Sequence, residues 1–435
     1  MIRITIIFLS VFSLNSYATD LLDLYERSLQ HNTEFLQKDF DIKIADENIN
    51  QTRSTVFPEI NFSAQVSETT IERYKSSGAF NPSDYDSDSY SLKISQPLFH
   101  LYVLDELRKS KNILDQSLIN QNESKTLLVL ESIRHYFNLI KYNNQIKVTA
   151  LKKEYYYSKL LSAEKLYASG LITVQEYDKH INEYKQSQID VEQSKNQLTE
   201  IKNEVYIFSG KELNDINDIK LVNIEHKKYP LDEILRLAML ANNKIKAAEQ
   251  DVKISRNEIR SQQSRHYPTL DLVAEYDYVD ITQGGSQFGA TTREDSSISL
   301  VFNFPLFNGG YQSSKTNEAR LNYQKARLEY KNSKRIIRKD IIDTSNKYNL
   351  NKNMYQLSKE QIALSLKKYQ NAELGRDKGI YTDTQYLEAK IQYLESTAEA
   401  KNALMNYIYS GLTIDYFLNQ LDETKLRKIN TYLIW

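Results

Sequence analysis

The chain has 435 residues, of which 40% are apolar and 26% charged, with a formal net charge of −1 and a mean hydropathy of −0.58. It is too polar for a bundle of membrane helices, and no global basic field points to nucleic acid or an anionic membrane. With no cysteine, disulfides, thiolate metal sites and a lipidated N-terminal cysteine are excluded.

Residues 1–18 read as an export signal. Arg3 gives a weak positive start, Ile4 to Leu14 is an apolar run too short to span a bilayer, and Ser16-Tyr17-Ala18 offers small residues for cleavage after Ala18. The alternative for this stretch is a buried N-terminal helix or strand.

Beyond it the chain reads as a duplication. Gln96-Pro97-Leu98-Phe99 returns as Phe304-Pro305-Leu306-Phe307, 208 residues later by proline, and Gly170-Leu171-Ile172-Thr173 returns as Gly379-Ile380-Tyr381-Thr382, 209 residues later. Phe57-Pro58 returns as Tyr267-Pro268. A repeated unit of roughly 200 residues predicts internal pseudo-symmetry.

The first repeat is placed at 19–225: a helix, strands at about 59–70 and 89–99, then a long helical hairpin with its tip near Gly170. In the strands, Ile60, Phe62, Ala64 and Val66 alternate with polar residues, as do Tyr90, Leu92 and Ile94. A loop is expected near Lys75 to Asp88, with Gly78 and Pro82. No proline falls between Pro97 and Pro230, so His100 to about Ala168 can be one helix of roughly 100 Å at 1.5 Å per residue. Its apolar stripe, including Leu114, Leu118, Ile133, Phe137 and Ile140, predicts coiled-coil-like packing.

The second repeat is placed at 226–435, with strands at about 269–280 and 295–307 and a hairpin tip near Gly379. Leu270, Leu272, Ala274, Tyr276 and Tyr278 alternate with mainly polar partners, as do Ile298, Leu300, Phe302 and Phe304, and a loop with Gly284-Gly285 and Gly289 separates the two runs. Gly309-Gly310 reads as a tight strand-to-helix turn. It lacks the third glycine and the βαβ context of a nucleotide site.

Strands of about 10–12 residues match tilted membrane-spanning strands, but four cannot close a barrel, for which about eight is the minimum. Open edges in lipid would leave backbone groups unsatisfied. Oligomerisation is therefore a requirement of this reading: eight strands in a dimer or twelve in a trimer, at four per chain.

The organisation resembles the TolC family of outer-membrane efflux and secretion channels. The resemblance rests on the duplicated strand–strand–long-helix unit, on Phe304-Pro305-Leu306-Phe307-Asn308-Gly309-Gly310, and on the segment Gly379 to Ala389. It implies an α+β membrane protein: a homotrimer with a 12-stranded outer-membrane β-barrel, four strands per chain, continued by a long periplasmic α-helical barrel. It further implies passive export of drugs, small molecules or unfolded proteins in a tripartite efflux or type I secretion system. The partners would be a periplasmic adaptor protein, an inner-membrane transporter of the ABC or RND type, and outer-membrane lipid, in a Gram-negative bacterium. No cofactor, metal, enzymatic activity or nucleic acid is implied.

The same resemblance marks the tips. The acidic positions that ring the family's pore fall on Gln385 and Glu388, so one ring of carboxylates is expected instead of two. The residues that hold the tip closed fall on Arg376, Tyr381 and Glu176, which suggests an Arg376–Glu176 latch. Gly170 and Gly379 take the tip turns, and Pro97, Pro305, Gly309 and Gly310 the barrel-to-helix turns.

Other chemistry finds little support. The histidines His31, His100, His135, His180, His226 and His266 form no His-x-x-x-His pair, and there is no Gly-x-Ser-x-Gly or Gly-Lys-Ser/Thr loop. Lys334, Arg335, Arg338 and Lys339 form a small basic helix face, read as solvated or as a subunit contact. The competing reading is an exported coiled-coil scaffold of the envelope. It accounts for the helices but not for the alternating strands.

Overall fold

A computed structural model of the chain describes residues 20–74, 80–213, 216–224, 230–281 and 291–433. The expected signal segment 1–18, Gly78, His226 and the glycines at 284, 285 and 289 lie outside the described residues.

The elements run α1 Leu21–His31, α2 Thr33–Ser54, β1 Glu59–Tyr74, β2 Phe80–Phe99, α3 Leu101–Ala168, α4 Val174–Ser209, α5 Leu231–Ala241, α6 Asn243–Ser264, β3 Thr269–Ile281, β4 Thr291–Asn303, α7 Tyr311–Asp377, α8 Asp383–Phe417 and α9 Glu423–Asn430. Elements α1 to α4 are matched in order by α5 to α8. The breaks between the paired short helices also match: Asn32 and Asn242 each cap a helix in extended backbone, donating to Ser28 and Ala238 respectively. Among the described residues no helix is long and apolar enough to cross a membrane.

One compact unit comprises Lys38–Asn120 and Lys244–Lys334. It holds a four-stranded antiparallel sheet in the order β1-β2-β3-β4. The register puts like with like across it. Ile60, Ile94, Ala274 and Ile298 form one row, and Phe62, Leu92 and Tyr276 lie in the next row on the same face. Tyr90 and Tyr278 stack in the row beyond, ring centroids 4.4 Å apart. The alternate rows carry Asn61, Lys93, Glu275 and Ser297, then Ser63, Ser91, Asp277 and Asp295. The apolar face is bare: Phe62 is 71% exposed and Ile298 80%. Burying such side chains is worth ~1.5–3 kcal/mol each, so a face left this open implies an apolar medium or a partner. β1 and β4 are edge strands, each hydrogen-bonded to one neighbour.

The strand boundaries differ from expectation in three places, one of them the start of β4 at Thr291, four residues before the expected 295. The β1–β2 ladder continues through Glu72–Pro82 to Tyr74–Phe80, where a loop is expected. β3 ends opposite Ser87, so among the described residues strand β2 has only β1 beside it at Pro82, the setting in which a proline is tolerated in a sheet. At the other end, β4 stops at Asn303 and leaves Phe304 to Phe307 irregular; Pro305 cannot donate to a ladder. Pro97 remains in β2, at a register break against β3 between Pro97 and Phe99.

Below the sheet this unit is tied by polar contacts. Lys109 reaches Glu106 at 2.8 Å and Glu258 at 2.7 Å. Ser261 donates to Glu106 (2.6 Å) and Ser264 to Asp105 (2.9 Å). Burial works against the Lys109 ammonium, but its hydrogen bonds to both glutamates outweigh this and hold its pKa above the usual range.

The other unit comprises residues up to Gln37, Gln121–Asn243 and Arg335–Trp435. α3 folds back as α4 and α7 as α8. The inner pair is α3 with α8: Leu151 packs with Tyr386, Leu387 and Ile391, Lys152 pairs with Glu395 at 2.6 Å, and Ser158 meets Thr384 at 3.3 Å. α4 lies on α3 through Tyr157–Tyr184, and α7 on α8 through Tyr348–Tyr407. The chain ends are joined as well. Asp20 caps α1 and bonds Asn430, and the Lys220 N–H donates to the Tyr432 carbonyl at 2.8 Å.

Candidate functional site: the two hairpin tips

Both tips are built by the same two devices. α3 ends in a Schellman turn: Gly170, at φ 69°, donates to the Tyr167 carbonyl, and Leu171 donates to that of Leu166. α7 ends likewise, with Gly379 at φ 73° donating to Arg376 and Ile380 donating to Gly375. Only glycine takes this left-handed backbone without strain. Three residues on, Thr173 and Thr382 open the returning helices as capping boxes. The Thr173 hydroxyl accepts from the Glu176 N–H and the Glu176 carboxylate accepts from the Thr173 N–H; Thr382 and Gln385 do the same.

In this geometry Glu176 and Gln385 complete the capping boxes of their own helices. Each side chain is bonded to the N-terminus of its own helix. Glu388, one turn further along α8, is exposed, and no hydrogen bond or ion pair engages it among the described residues. Of the two expected pore-ring positions, the one with an unengaged carboxylate is Glu388.

The expected Arg376–Glu176 latch is not made within the chain. The Arg376 guanidinium lies 3.9 Å over the Tyr386 ring and bonds Asp377 at 3.3 Å. Cation–π stacking on a ring one turn into the next helix is available to it locally, while one oxygen of Glu176 accepts from the Thr173 N–H. Tyr381 also has a local seat. Its ring lies where a Cβ on Gly375 would come within 2.3 Å of Cδ2.

The first hairpin repeats the slot with different chemistry. Tyr167, the counterpart of Arg376, stacks on Tyr177, the counterpart of Tyr386, with centroids 5.1 Å apart and an interplanar angle of 2°. Around tip two the aromatic contacts continue. Tyr369 stacks on Tyr393 at 5.6 Å, meets the Tyr386 hydroxyl at 3.3 Å and donates to Glu373. The Tyr386 contact, then burial, push the Tyr369 phenol upward, so it stays protonated.

At the sheet-to-helix turns, Gly309 and Gly310 both have positive φ, 66° and 82°, directly before α7. The first repeat manages the same turn without glycine, where His100 contacts Asp271 at 3.0 Å. Among the described residues no three His, Asp or Glu side chains converge to hold a metal ion. Several tip residues escape a reading by motif alone: Gly375, Tyr167, Tyr177 and Tyr386. Thr173 and Thr382 belong to the repeated tip motif, and their Thr-x-x-Glu and Thr-x-x-Gln spacing is the capping-box signal that explains them.

These features recur in known proteins. The outer membrane efflux protein family model matches residues 24–211 and 234–414. The chain is 24% identical over 440 residues to outer membrane protein TolC of Escherichia coli, covering 98% of this chain and 87% of that one. It is 21% identical over 341 residues to the proteases secretion protein PrtF of Dickeya chrysanthemi, covering 75% and 72%. Its fold resembles the Campylobacter jejuni CmeC outer membrane channel, with a TM-score of 0.70 at 16% identity over 95% of this chain and 90% of that one. The open-state MtrE outer membrane channel of Neisseria gonorrhoeae gives 0.64 at 15% identity over 92% and 89%. The chain therefore belongs to the outer membrane efflux protein family, as a Gram-negative outer-membrane transport channel protein that reaches into the periplasm.

Proposed function

We propose that the protein is the exit duct of a tripartite efflux or type I secretion system, working as a homotrimer. Three four-stranded sheets would close one 12-stranded barrel by pairing β1 of one copy with β4 of the next, and the hairpins would form a periplasmic tunnel closed at its tips. The observation that carries this is the open sheet: one apolar face bare, one polar face, and two unpaired edges. In lipid those edges must find strand partners. The duct is passive. A periplasmic adaptor and an ABC or RND inner-membrane transporter would supply cargo and energy, the cargo being drugs, small molecules or unfolded proteins.

The tip is proposed as the entrance, with Glu388 giving one carboxylate per chain at the constriction. Carboxylates gathered in a narrow wet passage favour cations. Two measurements test this. Outer-membrane extracts should contain a heat-modifiable trimer; a soluble monomer overturns the channel. In planar bilayers, Glu388→Gln should lower cation selectivity, and unchanged selectivity removes Glu388 from the pore.

A further inference from the structure

α3 and α8 enclose a groove of about 350 Å³. Arg134, Asn138 and Lys141 line it from α3, and Asn402, Asn406 and Tyr409 from α8. Phe137 and Met405, both buried, supply its apolar part. All six polar side chains can donate a hydrogen bond, and the two cations can only donate. The Glu131 carboxylate beside them is paired with Arg134. Lys141 lies 5.3 Å from the ring centroid of Tyr142 and meets no carboxylate among the described residues. Nor does a hydrogen bond among those residues engage the carboxamide of Asn138, Asn402 or Asn406. Burial and then Glu131 push the Tyr409 phenol up to about 12, so it keeps its proton as a donor.

A heptad line relates this groove to the tip. Glu388, Glu395, Asn402 and Tyr409 recur every seven residues along α8, so they share one face of a helix that coils with its neighbours. Asn402 stands 402 − 388 = 14 residues beyond Glu388, or ~21 Å at ~1.5 Å per residue. The face changes sign over that distance. Glu388 has an unengaged carboxylate, and Glu395 is neutralised by Lys152 at 2.6 Å. At Asn402 and Tyr409 the nearby cations are Arg134 and Lys141 of α3. The Debye length is ~8 Å at physiological ionic strength, so a carboxylate ~21 Å away does not cancel them.

We propose that this groove is a binding station for a small anion, the carboxylate or phosphate group of a molecule in transit. Its place on the passage rests on the reading of Glu388 as the entrance; its donor set does not. Arg134 keeps its own carboxylate, so the free charge in the groove is that of Lys141. The three carboxamides and the phenol add uncharged donors that orient an oxyanion against that charge. Phe137 and Met405 leave room for an apolar body on the same molecule.

Calorimetry on the purified protein in detergent tests the groove, with inorganic pyrophosphate and citrate as probes. The wild type should bind at least one of them. Pyrophosphate alone would name phosphate as the group recognised, and citrate alone carboxylate. Lys141→Gln should weaken binding by about tenfold, the size of one charge-assisted contact, and Lys141→Arg should keep it. Arg338→Gln, which removes an exposed cation from α7, should leave it unchanged. No binding of either probe, or equal losses in Lys141→Gln and Arg338→Gln, overturns the site. In planar bilayers the bound probe should lower wild-type conductance and spare Lys141→Gln. Binding without this block puts the groove off the passage, which overturns the station and leaves the channel reading standing. A protein that binds the probe through Lys141 yet forms no channel overturns the channel reading and leaves the anion site standing.

Discussion

Arg376 and Tyr386 stand on either side of the second tip turn, the guanidinium 3.9 Å over the ring. Tyr167 and Tyr177 hold the same two positions in the first hairpin, as a parallel ring pair. One slot thus accepts either a cation or an aromatic against a ring, since both favour the π face. It follows that Arg376→Tyr, which copies the first hairpin, should leave the melting temperature unchanged, while Arg376→Asp should lower it. Equal losses for the two variants would show that the slot needs the charge and not the stacking.

Gly375 is where the second tip is packed most tightly. A methyl there would meet the Tyr381 ring at 2.3 Å, and overpacking of this kind costs ~1–3 kcal/mol. Gly375→Ala should therefore raise amide exchange across 375–382, and Tyr381→Ala in the same chain should restore protection. Additive losses in the double variant would show that the two residues do not share this contact.

The capping boxes set the stability of both tips. Thr173→Ala and Thr382→Ala should each cost ~1 kcal/mol of local stability, read as faster limited proteolysis at the hairpin concerned and not at the other. Glu176→Gln should be nearly silent, because glutamine serves the same box at Gln385. If Glu176→Gln instead changed the conductance of the channel, the carboxylate would have a task beyond its cap.

His135 should make stability depend on pH. It is buried on α3 with its ring 4.7 Å from that of Phe208. Burial, with some help from Arg134, lowers its pKa from 6.5 to about 4. The unfolded chain therefore binds a proton between these values that the folded chain refuses, so stability should fall as pH drops from 6.5 towards 4. Denaturation midpoints at pH 7, 5.5 and 4.5 measure the slope, and His135→Gln should flatten it. An unchanged slope in the variant would place the acid sensitivity elsewhere.

Ile298 tests the bare face of the sheet. Ile298→Arg should oppose insertion into vesicles by ~2–4 kcal/mol if that face meets lipid near the bilayer centre. Ser297→Arg, one residue away on the other face, should insert as well as the wild type. Equal behaviour of the two variants is falsifying for a lipid-facing row.

The sequence alone determined the element order, because its signals are local. Proline-free tracts allow long helices, alternation marks strands with two media, and a glycine followed three residues later by threonine marks each tip. The duplication was visible for the same reason: Gly170 and Gly379 need a left-handed backbone that side-chain-bearing residues resist. Side-chain partnership was not legible. Within the chain Glu176 accepts from the N–H of Thr173 and Arg376 lies over the ring of Tyr386, contacts that depend on how each tip turn brings its two helices together. The strand ends were equally hidden, since the length of the β1–β2 ladder is set by pairing between strands. Only the tertiary structure showed that α8 covers the Leu151 region of α3 while Leu350, Leu357 and Leu364 of α7 stay exposed, because covering a stripe is a relation between helices and not a property of either sequence.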